Sequence, residues 1–138
     1  MENLKKKMDL ESYSKFISNY VSHPSNDLVC FQEQLQQLDK NINISLLVTG
    51  SLGLSSETGE FNEIVKKILF QGKPLNQENI YHMKRELGDI LWYWVNSCRA
   101  LGISPTEVMI ENVEKLKNRY PVGKFRTSDS EIRDKKDL

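Results

Sequence analysis

Two short acidic runs have the residue types and spacing to do chemistry: Glu57-x-x-Glu60 and Glu86-x-x-Asp89. Three residues apart on a helix, two side chains share a face. Stepping about 100° per residue gathers Leu54, Phe61, Ile64, Val65 and Ile68 into an apolar stripe. Glu57 falls inside that stripe and Glu60 at its border. Around the second run, Met83, Leu87, Ile90, Trp94 and Leu101 form the stripe. Glu86 and Asp89 follow its edge, and Tyr93 continues their line. Acids beside a core are costly unless they are paired or hold a metal. A single Glu-x-x-Glu is usually a solvated face paired with lysines. Two such runs, each bordering an apolar stripe, favour a metal instead.

The two runs must be brought together, and their register does so. Glu60 lies about ten residues before Phe70, and Glu86 about ten after Asn76. In an antiparallel helical hairpin, equal distances from the turn bring residues level. Four carboxylates then share one region and raise one another's pKa unless cations intervene. Hard oxygen ligands suit Mg²⁺, with Mn²⁺ as a substitute. Such ions commonly carry a polyphosphate and activate water.

The elements that position these acids are helices. Glycine and proline are sparse, at 7 and 4, and helical periodicity dominates, so the expected class is all-α. A first helix is predicted over Asp9 to Val21, with Tyr13, Phe16, Ile17 and Tyr20 on one face, ended by His23-Pro24-Ser25-Asn26. Residues 27–41 read equally as a short helix or a loop. A long helix is predicted from Ile44 to Phe70, stopped by Gly72 and Pro74. Asn76 caps the next, which runs to Leu101 and ends at Gly102. Ser104-Pro105-Thr106-Glu107 is a capping box with proline at the first helical position, opening a helix to Arg119. One domain is expected over residues 1–125, with a polar, disordered tail over 126–138.

Composition sets the outer limits. The chain has 138 residues, with 19 Lys plus Arg against 19 Asp plus Glu. Zero net charge argues against a nucleic-acid polymer as partner. No run approaches the roughly 18 apolar residues of a membrane helix. Lys5, Lys6 and Lys7 are followed by no apolar run, so no secretory signal is read. Two cysteines, Cys30 and Cys98, make no disulfide framework, and a cytoplasmic setting is the expectation. No Gly-x-x-x-x-Gly-Lys loop is present, so phosphates must be handled by metal and side chains.

The same residues resemble a known family. They are Gly53-Leu54-Ser55-Ser56-Glu57-Thr58-Gly59-Glu60 with Glu63 and Lys66-Lys67, then Glu86-Leu87-Gly88-Asp89-Ile90-Leu91-Trp92-Tyr93. The last part is Asn112-x-x-Lys115-Leu116-x-x-Arg119-Tyr120-Pro121. Over about residues 50–123 the chain is similar to the MazG-like, all-α nucleoside triphosphate pyrophosphohydrolases. The resemblance implies an antiparallel helical bundle with Glu57, Glu60, Glu86 and Asp89 as Mg²⁺ ligands. It also implies cleavage of a nucleoside triphosphate to the monophosphate and pyrophosphate, by a homodimer or homotetramer. The alternative is a non-catalytic helical-bundle interaction module. A di-iron bundle would require Glu-x-x-His motifs, and neither acidic run has one.

Supporting roles follow from side-chain chemistry. Asn112, Lys115 and Arg119 share a helix face and suit sugar and phosphate oxygens. The other reading is a basic last turn that favours the helix dipole. Lys67 either holds a phosphate or pairs with Glu63 four residues back. Tyr93 either contacts the base or is a boundary core residue. His82 reads as a surface residue, Trp94 and Cys98 as core, and Trp92 as a candidate interface residue. Among the acids Glu60 is favoured as general base, because it lies nearest solvent.

Overall fold

A computed structural model describes residues 9–131. The backbone clusters into two compact units, Met1–Lys40 and Asn41–Leu138.

In the first unit, α1 spans Leu10–Ser18, α2 His23–Asn26 and α3 Leu28–Gln36. Asp9 caps α1 by accepting from the Ser12 N–H at 2.7 Å. Asp27 caps α3 in the same way, accepting from the Cys30 N–H at 2.8 Å. Each cap satisfies one of the N–H groups a helix start leaves without a partner. Residues 28–36, left open by the periodicity, are therefore helical. Helix α1 stops three residues before the expected Val21. The expected break at His23-Pro24 is itself a helical turn, because proline in a first turn forfeits no hydrogen bond. The predicted apolar face of α1 is largely exposed, with Phe16 stacked on Tyr20 at 5.0 Å. Lys5, Lys6 and Lys7 lie outside the described residues.

The second unit holds the acidic runs. Helix α4 spans Ile44–Phe70, α5 Gln77–Leu101, α6 Pro105–Arg119 and α7 Thr127–Glu131. The sequence signals act as expected. Asn43 accepts from the Leu46 N–H at 3.0 Å, and Asn76 from the Asn79 N–H at 3.0 Å. Gly102 closes α5 in the left-handed region at φ 68°, which glycine adopts without a Cβ penalty. The capping box forms, with the Ser104 N–H donating to Glu107 Oε2 at 3.3 Å. Helix α7 lies within the segment expected to be disordered, and residues 132–138 of that segment lie outside the described residues.

Helices α4 and α5 form the antiparallel hairpin. The Asn43 N–H donates to the Ala100 carbonyl at 2.9 Å, tying the start of α4 to the end of α5. At 27 residues α4 is about 40 Å long, a rigid rail for the acids. The α4 stripe of Leu54, Phe61, Ile64, Val65 and Ile68 is half-buried throughout. On α5, Met83, Ile90 and Trp94 are half-buried and Cys98 is buried. Leu87 and Leu101 depart from the expected stripe, at 53% and 40% exposed. A hairpin covers only one side of each helix and leaves Leu87 open, and Leu101 is the last residue of α5. Two buried asparagines went unremarked in the sequence. Asn79 donates to the Pro74 carbonyl at 2.7 Å, and Asn96 to the Trp92 carbonyl at 3.0 Å.

Candidate functional site

The hairpin brings Glu57, Glu60 and Glu86 together. Each offers a carboxylate oxygen, and these oxygens lie within 4.8 Å of one another. Seven residues along α4 from Gly53 lead to Glu60, and seven back along α5 from Tyr93 lead to Glu86. Since Gly53 faces Tyr93, the two glutamates come level, as the register predicts. Glu57 and Glu86 are half-buried and Glu60 is exposed.

Asp89 stands outside that group of three and is exposed. It still belongs to the local field. Glu57 is pushed above the ordinary carboxylate range, first by desolvation, then by the charges of Glu60, Asp89 and Glu86, and last by the hydrogen bond its protonated carboxyl donates to Glu86. Four acids thus converge electrostatically, with three close enough to share one ligand.

The donor set fits a hard divalent cation. In an octahedron with bonds of about 2.1 Å, neighbouring oxygens are about 3 Å apart and opposite ones about 4 Å. Oxygens already within 4.8 Å reach such positions by small side-chain rotations. All the donors are carboxylates, which suits Mg²⁺ or Mn²⁺ rather than a thiolate-seeking metal.

The other candidate residues separate. Lys67 pairs with Glu63 at 3.3 Å, and Lys66 joins the same carboxylate. Both lysines hold Glu63 below its usual range. The pairs are nearly half exposed, so each contributes little and opens readily. Asn112, Lys115 and Arg119 lie on α6, beyond the Gly102 turn, and not on the hairpin that carries the acids. Tyr93 is half-buried on α5, its ring edge-on to Trp92 at 4.7 Å. His82 is exposed. Gly50 and Gly53, both buried in α4, are the positions whose packing role sequence reasoning missed. Their spacing, one helical turn apart within a long helix, is the signal that a second helix approaches closely there.

The structure defines an all-α hairpin with facing acidic runs, and comparison with known proteins gives its family. The family model of the MazG nucleotide pyrophosphohydrolase domain matches residues 49–123. That is more than half the chain, and the chain belongs to this family. It is also 34% identical over 79 residues to the "Gene 37 protein" of Mycobacterium phage L5, covering 56% of this chain and 69% of the phage protein. That name states no activity. No solved structure matches the chain.

Proposed function

We propose that this protein is a Mg²⁺-dependent nucleoside triphosphate pyrophosphohydrolase, converting a (deoxy)nucleoside triphosphate and water to the monophosphate and pyrophosphate. The observation that carries the reading is the convergence of Glu57, Glu60 and Glu86 within the region matched by the family.

Glu57, Glu60 and Glu86 would hold the cation, with Asp89 as a further ligand. Mg²⁺ there would supply charge screening for phosphate oxygens and a lowered pKa for the attacking water. Mn²⁺ substitutes for it. Glu60, the most solvent-open of the three, takes the proton from the attacking water as general base. The bond between the α and β phosphates breaks, and pyrophosphate leaves. Lys67, released from its exposed pair with Glu63, holds a phosphate oxygen. Asn112, Lys115 and Arg119 contact sugar and phosphate oxygens, and Tyr93 contacts the base. Incubation of the protein with Mg²⁺ and a panel of ribo- and deoxynucleoside triphosphates should release pyrophosphate from at least one. Release of orthophosphate, or of nothing, overturns the activity; absence of any Mg²⁺ effect on melting as well would leave the interaction module.

The exposed apolar surface supports an assembly of several copies. Among the described residues, Cys98 and Ala100 are the buried hydrophobic side chains, while Leu69, Phe70, Leu91, Trp92, Met109 and Ile110 are each more than half exposed. Apolar surface on this scale marks an interface, and its occupant is another copy of the chain. Sedimentation at micromolar concentration should give a homodimer or homotetramer; a monomer rejects this. No described helix is long and apolar enough to cross a membrane. The two free cysteines suit a cytoplasmic setting.

A further inference from the structure

Helix α4 passes α5 at Gly50 and Gly53 with no room for a side chain. A Cβ on Gly53 would fall on Cδ1, Cε1 and Cζ of Tyr93, so that ring lies directly against the α4 backbone. A Cβ on Gly50 would meet Ser97 Oγ. The Ser97 hydroxyl in turn donates to the Tyr93 carbonyl at 2.9 Å. Gly53 lies one turn before Glu57, and Tyr93 one turn after Asp89. The ring therefore occupies the α4–α5 groove one turn from Glu57 and Asp89 and two turns, about 10 Å along the helix axis, from Glu60 and Glu86. With the phosphates of the proposed substrate at the acids, its nucleoside would extend along this groove toward the ring.

We infer that Gly53 is a positioning residue: by lacking a Cβ it seats the Tyr93 ring in the groove, and the seated ring sets affinity for the nucleoside half of the substrate. This rests on the proposed pyrophosphohydrolase reading. A methyl at Gly53 strains no helix backbone, since alanine is the better helix former. The side chain across from it must give way instead, and what shifts is the ring. The acids lie on later turns of α4 and earlier turns of α5, so they keep their places.

The test is a double-mutant cycle of Gly53→Ala and Tyr93→Ala on the best nucleotide of the panel. It is read as KM and kcat and, independently of turnover, as calorimetric affinity for a non-hydrolysable analogue of that nucleotide with Mg²⁺. Tyr93→Ala should raise KM by about tenfold, the scale of one lost aromatic–base contact. Gly53→Ala should raise it by a comparable factor, with the change falling on KM rather than kcat. In the Tyr93→Ala background, Gly53→Ala should add nothing, because the ring it displaces is gone. Equal effects of Gly53→Ala in both backgrounds, or none in either, overturn the inference while leaving the activity standing. A native chain that neither hydrolyses nor binds any nucleotide overturns the proposed function, and this inference with it.

Discussion

Glu60→Gln should lower kcat for pyrophosphate release by a factor of about 10²–10⁴, the range of a lost general base, without unfolding the chain. Glutamine keeps the shape and one carbonyl oxygen of glutamate but cannot take a proton near neutral pH. Glu60 is exposed at the border of the α4 stripe, so no core contact depends on its charge. Helix α4 is secured elsewhere, by the Asn43 cap and by the bond from Asn43 to Ala100 at 2.9 Å. Removing one of several converging acids also relieves repulsion, and the melting temperature should hold or rise. The checks are steady-state kinetics on the best nucleotide beside a thermal melt followed by circular dichroism. A near-normal kcat would remove Glu60 from the role. A collapsed melt would show that it holds the fold instead.

The ends of the long helices can be read from the sequence because single residues enforce them. Asn43 and Asn76 cap by accepting from backbone N–H groups, Gly102 takes a left-handed φ, and Ser104 with Glu107 closes a box. The level pairing of Glu60 with Glu86 follows from those ends, since a hairpin of known turn has a known register. What periodicity lacks is the identity of the neighbour. Leu87 and Leu101 lie on the predicted stripe, yet both are exposed, because periodicity marks an apolar face without showing what covers it or where the cover ends. Asp89 shares a face with Glu86, yet its oxygens stand outside the group of three, since spacing along one helix does not fix where a side chain's oxygens lie. The Gly50 and Gly53 spacing marks a close helix approach, but that Tyr93 is the side chain filling it is a fact of the neighbouring helix that α4 alone does not encode.

Mg²⁺ should raise the melting temperature of the native chain at neutral pH, and Glu57→Gln should both abolish that rise and stabilise the metal-free chain. The sign follows from the shift at Glu57. Its carboxyl in the folded chain is held above the model-peptide value of 4.5 by desolvation and by its acidic neighbours. The folded state thus binds its proton more tightly than the unfolded state, and stability falls as pH rises through the folded pKa. Below the unfolded value the group is protonated in both states and carries no penalty. Above its folded value the penalty is complete, and Glu57→Gln removes it. The gain from Glu57→Gln should therefore be largest at pH 7–8 and fade as the pH approaches about 4.5. The Mg²⁺ effect runs the same way, because a cation competes with protons for the same oxygens. Chelation should stop turnover and return the native chain to its lower melting point. Differential scanning of native and Glu57→Gln chains, with EDTA or with Mg²⁺, across that pH range decides the matter. A Mg²⁺ shift of equal size in both chains would place the ion away from Glu57. A gain from Glu57→Gln that grew toward acid pH would mean that the acids do not repel one another in the folded chain.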